Sequence, residues 1–382
     1  MSSITSIHIK NFLSLKNVEM KLGKLNVLVG PNASGKSNIA RALQLLANHA
    51  KNGIPTLSGY KSFKELAFAF DETAEIELEI EVLTEGQVIK YTLIFTADGY
   101  AERACVNDHT VLEHESIRPV HKVGFILTNR REMVTISTKQ QSVPLLRGKR
   151  VYGSLLSSLP SNAIKELHVL AHLLRSITVY SFSPEKIRGY SNVSNIPVLN
   201  YYGDNLARTL LYLYLENRRV FSFIEDVFRN FIPEVEEIIP HIEGTSVELW
   251  LRVKGLSEPL RPANISDGTL RMLAFITALY SQSSLAVFEE PENCIHPHLL
   301  ETLIDLARKA PCQVIITTHS PYLLNHVKPE EVYIVDKPDT ATIVKKLESM
   351  DEIKAVKKLL EEGGTLGEAW YSGLIGGTPK TE

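Results

Sequence analysis

Apolar and polar residues follow two different periods along this chain of 382 residues. From residue 74 to 106 apolar positions alternate with polar ones, and short turn signals separate the runs, which predicts an antiparallel β-meander. After Ser266, stretches with helical spacing precede short apolar runs, which predicts alternating helices and buried strands. Residues 4–10 and 18–22 predict two strands before a buried strand at Leu25–Val29. The pattern indicates an α/β protein interrupted by a long insertion.

The insertion has a less regular pattern. Helices are predicted over 150–175 and 203–232, and a strand pair over 234–242 and 247–253, whereas 107–149 has no assignable period. In the C-terminal part, the predicted helices and strands are 269–281, 285–288, 297–309, 314–318, 332–335, 341–345 and 351–361. No repeat or sustained heptad is visible, which argues against a long coiled coil.

The residues that follow Leu25–Val29 have the G-x-x-x-x-G-K-S pattern of a phosphate-binding loop. A strand precedes the loop and a helical pattern follows it, so free N–H groups at a helix start would face an anion. Lys36 would reach the β- and γ-phosphates, and the Ser37 hydroxyl would bind Mg²⁺. The residues predicted to bind ATP are Gly30, Asn32, Ala33, Ser34, Gly35, Lys36, Ser37 and Asn38.

Carboxylates follow a second buried strand. Leu285–Phe288 runs directly into Glu289 and Glu290, and a buried strand presents such groups at its C-terminal edge, where ligands bind in α/β sheets. Glu289 is predicted to hold Mg²⁺ and Glu290 to polarise the attacking water. His319 follows the strand at 314–318 and is predicted to contact the γ-phosphate at the same edge.

The segment Ser266–Arg271 (SDGTLR) opens a helix with a good N-cap, Ser266 or Asp267. Such a helix start, with the small Gly268, can also hold a γ-phosphate, although a capped helix alone is the commoner meaning of this pattern.

The order of these motifs resembles the ABC-type ATPases of the SMC/RecF-like group, and within it the RecF/OLD-like predicted ATPases. The segments that carry the resemblance are GPNASGKSN, SDGTLR, VFEEPENCIHPH and IITTHSP. The resemblance implies a P-loop NTPase fold, an ABC-type ATPase head. Residues 1–70 would be the first part of the head with Walker A, 71–260 the β-meander and helical insertion, and 261–382 the second part of the head.

The resemblance also implies roles for residues. Gly30–Asn38 would be the Walker A loop, and Glu289 and Glu290 would end Walker B. Ser266, Gly268 and Arg271 would lie in the signature motif. Ile295–Pro297 would lie in the D-loop region, and His319 would be the switch histidine. A head-to-head homodimer is implied, in which the signature motif of one subunit completes the ATP site of the other.

The sequence departs from the pattern of this group at three places. The first Walker B acid is Glu289 rather than Asp, which changes the reach to Mg²⁺ and predicts slow hydrolysis. Cys294 stands where glycine often occurs. The glutamine loop has no clear position, and Gln87, Gln140 and Gln141 are candidates by chain order only.

The motifs leave several functions open. We expect an ATP-hydrolysing dimeric switch. The alternative is a scaffold in which ATP is structural and turnover is negligible, and a measurement of phosphate release distinguishes the two.

The sequence disfavours two other functions. A transporter subunit is disfavoured by the β-rich insertion, and binding of GTP is disfavoured by the absence of an N-K-x-D motif. OLD-like nucleases carry a TOPRIM domain after the ATPase, but only 63 residues follow His319, so we expect any effector to be a separate protein.

Composition sets further bounds. The net charge of −3 gives no overall attraction to nucleic acid, so non-specific DNA binding would need a local basic face. No apolar run has the length of a membrane span, no signal peptide is visible, and the three cysteines are scattered, which predicts a cytoplasmic protein without zinc or membrane contact. The candidate basic clusters are Arg130-Arg131, Arg147/Lys149/Arg150 and Arg218-Arg219.

Overall fold

The computed structural model describes residues 2–53, 57–117, 132–137, 142–144, 154–192 and 198–376. The strands in these ranges are, in chain order, β1 (Ser3–Phe12), β2 (Leu15–Lys21), β3 (Leu25–Val29), β4 (Ile76–Thr84), β5 (Gln87–Thr96), β6 (Gly99–Val106), β7 (His109–Ile117), β8 (Glu132–Ser137), β9 (Ser142–Pro144), β10 (Ile177–Tyr180), β11 (Ser191–Asn192), β12 (Val235–Glu243), β13 (Ser246–Val253), β14 (Leu285–Glu289), β15 (Gln313–Thr318), β16 (Val332–Asp336) and β17 (Ile343–Lys346). The helices are α1 (Lys36–Asn52), α2 (Phe63–Leu66), α3 (Lys165–Arg175), α4 (Pro184–Ile187), α5 (Leu206–Glu216), α6 (Arg218–Phe231), α7 (Asp267–Leu279), α8 (Leu300–Lys309), α9 (Pro321–Leu324), α10 (Ile353–Glu361) and α11 (Leu366–Tyr371).

The central sheet carries the predicted motifs. Its strand order is β10-β14-β15-β3-β16-β17, and every neighbouring pair is parallel except β16 with the edge strand β17. All five residues of β3 are buried, as expected for a parallel strand covered on both faces. Strand β10 comes from the stretch between the two predicted parts of the head, so the central sheet combines strands from all three predicted segments.

Alternate residues of the central strands pack into two separate cores. Val27 and Val29 contribute to the core shared with α5, α6, α7 and α8, whereas Leu28 contributes to the core shared with α1, α3 and the β-meander. The same alternation separates Phe288 from Val287 on β14. The central sheet is thus the middle of three layers, and its carboxyl edge is held rigidly by packing on both faces.

An eight-stranded antiparallel sheet forms one outer layer, in the order β2-β1-β4-β5-β6-β7-β8-β9. The predicted meander is confirmed as β4, β5 and β6. Strand β7 lies in the stretch without an assignable period, and a two-residue turn joins it to β6. Asn107 and Asp108 in this turn have φ of 46° and 67°, a conformation that asparagine and aspartate adopt readily. This Asn-Asp turn was a local signal for the hairpin.

A buried carboxylate connects the meander to helix α1. Glu102 on β6 is almost fully buried. Its contacts are the hydroxyls of Tyr91 at 2.9 Å and Ser154 at 2.8 Å, the Leu155 N–H at 2.6 Å, His114 Nδ1 at 3.1 Å and His49 Nε2 at 3.4 Å. Burial by itself raises the pKa of Glu102, but the hydrogen bonds from His114 and His49 hold it below its usual range. The cluster therefore fixes the far end of the helix that begins at the phosphate loop.

Two predicted helices are shorter or broken. The stretch 203–232 forms α5 and α6 with a break at Asn217, whose φ of −141° and ψ of 62° are not helical. Among the described residues of 150–175, which begin at Ser154, only α3 is an α-helix, and Pro160 lies in the loop before it. Strands β11, β13 and β12 form a small sheet that packs on α5. None of the helices in the described residues has the length and apolar character needed to cross a bilayer.

Candidate active site

The loop between β3 and α1 depends on two glycines. A Cβ on Gly30 would lie 2.0 Å from the Val335 carbonyl oxygen, and a Cβ on Gly35 would lie 2.1 Å from Thr342 Oγ1. Gly35 also has a φ of 103°, which disfavours any other residue. No described side chain caps the start of α1. Its first N–H groups are therefore available to an anion held by the loop.

Lys36 lies inside this loop. Its Nζ donates to the carbonyl oxygens of Gly30 at 2.8 Å and Pro31 at 2.9 Å, and the residue is only 6% exposed. Burial lowers the pKa of Lys36, and the nearby Glu290 and Glu292 partly offset this effect. The predicted phosphate-binding cation is thus within electrostatic range of the carboxylates that follow β14. Ser37 lies half-buried in the first turn of α1.

A series of hydrogen-bonded polar groups connects the phosphate loop to the residues just before β2 and β17. Asn38 Nδ2 donates to Ser14 Oγ at 2.8 Å, Ser14 Oγ lies 2.7 Å from Thr342 Oγ1, and Thr342 Oγ1 donates to the Ser34 carbonyl at 2.9 Å. The Thr342 N–H also donates to the Ser14 carbonyl. Thr342 lies before β17, because this strand begins at Ile343 and not at residue 341 as predicted. Sequence reasoning missed Ser14 and Thr342, which no local motif marks.

The predicted carboxyl edge brings three strand ends together. Glu289 at the end of β14 pairs with Thr317 of β15, and Thr318 pairs with Val29 at the end of β3. The phosphate loop, the two glutamates and His319 consequently follow neighbouring strands. This is the arrangement that the sequence predicted from the positions of the apolar runs.

Glu290 and His319 form a hydrogen-bonded pair at this edge. His319 Nδ1 lies 2.9 Å from Glu290 Oε1, and Asn293 Nδ2 donates to Glu290 Oε2 at 3.1 Å. The Glu290 N–H donates to the Thr317 carbonyl at 2.9 Å, and Glu290 has a φ of 46°, so its backbone leaves the extended path of β14. Both side chains of the pair are partly exposed and accessible to a ligand.

Glu289 has a different environment from Glu290. The Tyr201 hydroxyl donates to Glu289 Oε2. Burial, and then this hydrogen bond to Glu289, raise the pKa of Tyr201 well above its usual value. A cavity of about 250 Å³ adjoins the pair and is lined also by Arg41 and Gln44 of α1. No local pattern predicted that Tyr201 would contact Glu289, because 88 positions separate them.

Glu292 is a third carboxyl at this edge, and it too was missed. It is 7% exposed, Thr318 Oγ1 donates to its Oε1, and its Oε2 has no hydrogen-bond partner among the described residues. Burial raises the pKa of Glu292 to about 7, against the opposing hydrogen bond from Thr318. Its place in the run Glu289–Glu292 was the available signal.

Ser266 caps helix α7, as one of the two predicted alternatives. Its Oγ accepts from the Thr269 N–H at 3.2 Å and lies 2.7 Å from Thr269 Oγ1. A Cβ on Gly268 would lie 2.4 Å from the Cys294 carbonyl oxygen, so the helix start packs closely on the loop that follows Glu290. Arg271 Nε is buried without a described hydrogen-bond partner. In the described part of the chain, no hydrogen bond joins Ser266–Arg271 to the phosphate loop.

The remaining predicted candidates have separate positions. Arg218 stacks on Tyr214, with 4.0 Å between its guanidinium carbon and the ring centre. Gln87 begins β5 in the meander. The basic positions Arg130, Arg131, Arg147, Lys149 and Arg150, and the glutamines Gln140 and Gln141, lie outside the described residues.

Two family descriptions match the chain. The family described as "AAA ATPase domain" matches residues 3–141, and the family described as "AAA domain, putative AbiEii toxin, Type IV TA system" matches residues 157–325. The two matches together include the phosphate loop, both glutamates and His319.

The chain is similar in sequence to several curated proteins. The chain is 23% identical over 356 residues to an OLD nuclease of Thermus scotoductus. This match covers 87% of this chain but only 61% of the length of the nuclease. It is 23% identical over 345 residues to an ATP/GTP phosphatase of Helicobacter pylori, covering 83% of this chain and 85% of the phosphatase. A shorter match, 30% identical over 105 residues, is to the DNA replication and repair protein RecF of Listeria welshimeri and covers 27% of this chain and 26% of RecF.

The fold is that of an SMC head. A solved SMC head bound to the C-winged helix domain of ScpA superposes with a TM-score of 0.58 at 15% sequence identity, covering 93% of this chain and 99% of the head. The order of motifs, the edge where they meet, the family matches and this fold agree with one another. The chain is thus similar to ATPases of the SMC, RecF and OLD kind and has the fold of an SMC head.

Proposed function

We propose that this ATPase binds Mg-ATP at Gly30–Asn38, hydrolyses it slowly with Glu290 as general base, and acts as an ATP-dependent dimeric switch. The observation that carries the proposal is the pairing of Glu290 with His319 at 2.9 Å, at the sheet edge that also holds Lys36. A general base must lie within hydrogen-bond reach of the proton that it abstracts, and the contact with His319 holds Glu290 at the edge where a γ-phosphate and its attacking water would lie.

The residues at the edge fit a bound nucleotide. The two glycines let the loop pack directly against the Val335 carbonyl and the Thr342 hydroxyl, and Ser34 Oγ is buried without a described partner. A magnesium ion would be held by the hydroxyl of Ser37 and the carboxylate of Glu289, the hard oxygen donors that it prefers, and would offset phosphate charge. Lys36 would exchange its two carbonyl contacts for the β- and γ-phosphates.

The proposed chemistry needs a proton acceptor beside the γ-phosphate. Glu290 takes a proton from a water molecule as the water oxygen bonds to the γ-phosphorus and the bond to the bridging oxygen of ADP breaks. Asn293 and His319 hold the two oxygens of Glu290 in place. His319 would also contact a γ-phosphate oxygen and stabilise the charge that develops there.

A second copy of the chain would complete each site. Ser266, Gly268 and Arg271 make no hydrogen bond to the phosphate loop of their own chain within the described residues, although they resemble a γ-phosphate-binding helix start. A two-fold dimer would place this helix start over the partner's γ-phosphate, in an isologous interface that encloses two ATP molecules. Hydrolysis would remove the γ-phosphate and loosen the dimer.

The wider role is proposed from similarity. The relatives include an OLD nuclease and RecF, and the solved SMC head binds a domain of ScpA. We propose that the dimer controls a separate effector or a DNA-associated process, such as repair or phage defence, in the cytoplasm. The alternative is an ATP-bound scaffold or sensor with negligible turnover.

The test measures ATP binding and phosphate release separately. Lys36→Ala should lose ATP binding, because the loop loses the charge that meets the phosphates. Glu290→Gln should bind ATP but turn over at least about 10²-fold more slowly, because the amide cannot accept the proton. Glu301→Gln, on the exposed face of α8, is the matched control and should behave as wild type.

Two outcomes would contradict the proposal. Undiminished ATP affinity in Lys36→Ala would remove the binding site from this loop. Phosphate release by wild type at the same low rate as by Glu290→Gln would favour the scaffold.

A further inference from the structure

The chain between β10 and α5 contacts both halves of the proposed machinery. We call residues 181–192 and 198–205 the strap. Its two arms run side by side, because the Ser181 N–H donates to the Tyr201 carbonyl at 2.8 Å and the Ser183 N–H to the Tyr202 carbonyl at 3.1 Å. Strand β10, which leads into the strap, is hydrogen-bonded to β14 along its whole length. The strap is therefore anchored to the strand that ends in Glu289.

One end of the strap holds Tyr201 in a fixed position. The Asn200 N–H donates to Asn205 Oδ1 at 2.7 Å, and Asn205 Nδ2 donates to the Val198 carbonyl at 2.8 Å. The rings of Tyr201 and Tyr202 pack edge to face with 4.8 Å between their centres. These contacts aim the Tyr201 hydroxyl at Glu289, to which it donates.

The other end of the strap holds the start of α7. Arg188 donates to Asp267 Oδ1 at 2.5 Å and to the Ile265 carbonyl at 2.8 Å. These two acceptors flank Ser266, the N-cap of the helix that bears the proposed signature motif. The Arg188 side chain is 28% exposed and the Asp267 side chain 50% exposed, so this charged contact lies at the surface and is partly shielded from solvent.

We propose that Tyr201 is a positioning residue that orients Glu289 toward Mg²⁺, and that the strap joins this metal ligand to the signature helix through Arg188. The proposal rests on the proposed function. A hydroxyl that donates to one carboxylate oxygen fixes the rotamer and leaves the other oxygen for the metal. Such supporting contacts around metal ligands commonly contribute about 10- to 100-fold in metal affinity or activity.

The test of the metal end uses Mn²⁺ as a paramagnetic probe. Binding of Mn²⁺ to the chain saturated with a non-hydrolysable ATP analogue is measured by electron paramagnetic resonance. Tyr201→Phe should raise the Kd for Mn²⁺ about 10-fold, with an unchanged melting temperature. Tyr202→Phe keeps its ring over Lys186 and is the matched control, with the wild-type Kd. A merely structural role for the hydroxyl would move the melting temperature and leave the Kd for Mn²⁺ unchanged.

The test of the other end uses analogue-dependent dimerisation, measured by sedimentation. Arg188→Gln should weaken the dimer about tenfold, in line with the loss of the ion-paired hydrogen bond to Asp267. Wild-type dimerisation of this variant would overturn the link to the signature helix. Equal Mn²⁺ affinity in Tyr201→Phe and wild type, with the analogue bound, would overturn only the positioning role. Failure of the wild-type chain to bind the analogue would overturn the proposed function as well.

Discussion

The stability of the nucleotide-free protein should depend on the protonation of Glu292, the buried carboxyl near Lys36. Burial raises its pKa from 4.5 to about 7 in the folded chain. The folded state therefore binds the proton more tightly than the unfolded state does. The stabilisation is complete below pH 4.5 and is lost as the pH rises through the folded pKa near 7.

The magnitude follows from the two pKa values. A full change from 4.5 to about 7 corresponds to about 3 kcal/mol. Between pH 5 and pH 8, the contribution of Glu292 should fall by about 2 to 3 kcal/mol. Glu292→Gln keeps the size of the side chain and its acceptor for Thr318 Oγ1 but has no charge to bury. The variant should lack this part of the pH dependence and be more stable than wild type at pH 8.

The assay is urea unfolding followed by circular dichroism at pH values from 5 to 8. The quantity to compare is the difference in unfolding free energy between wild type and Glu292→Gln, because the titration of groups that do not interact with Glu292 cancels in this difference. Glu301→Gln removes an exposed carboxylate and is the control for the loss of one acidic side chain. Parallel pH profiles of wild type and Glu292→Gln would refute the reasoning, since they would mean that Glu292 titrates alike in the folded and unfolded chains.

Two further predictions concern assembly and the outer sheet. Lys36→Ala and Ser266→Arg chains should each be inactive alone but regain part of the ATPase activity when mixed, because one site of the heterodimer carries neither change. No recovery of activity in demonstrated heterodimers, or full activity of Ser266→Arg alone, would contradict shared sites. Glu102→Ala should lower the unfolding free energy by about 3 kcal/mol or more in urea titrations, because it leaves His49 and His114 buried without their carboxylate. A loss below about 1 kcal/mol would contradict this prediction and show that the surrounding side chains rearrange to satisfy the two histidines.

Local patterns predicted the parts of the site that are local. The phosphate loop is a continuous run between a strand and a helix, so its glycines, Lys36 and Ser37 were recognisable without any tertiary information. Glu290 and His319 were predictable for a second reason. Each follows an apolar run that could only be a buried strand, and parallel strands end at one edge.

The residues that support the site were not predictable in this way. Ser14 and Thr342 are 328 positions apart, and each is an ordinary turn residue in its own neighbourhood. Tyr201 lies in a turn-rich stretch with no period. Hydrogen bonds between such residues arise only when two layers pack together. The break at Asn217 was not predicted because an apolar pattern with helical spacing runs without interruption through both α5 and α6.

The proposed switch requires that loss of a γ-phosphate be felt at the signature helix, and the fold offers two routes from the glutamates to that helix. The first is the strap, from Glu289 through Tyr201 to Arg188. The second is the short loop after Walker B, where the Asn293 N–H donates to the Glu290 carbonyl and the Cys294 carbonyl abuts Gly268.

The two routes begin at different glutamates and converge on the first turn of α7. Packed elements transmit displacement because they cannot deform continuously, so in the proposed switch a change at either carboxylate would shift the helix start as a unit. In the proposed dimer that helix start faces the partner's nucleotide. Each subunit would then report the state of its own site to the site across the interface, which is the property that a two-site ATP switch needs.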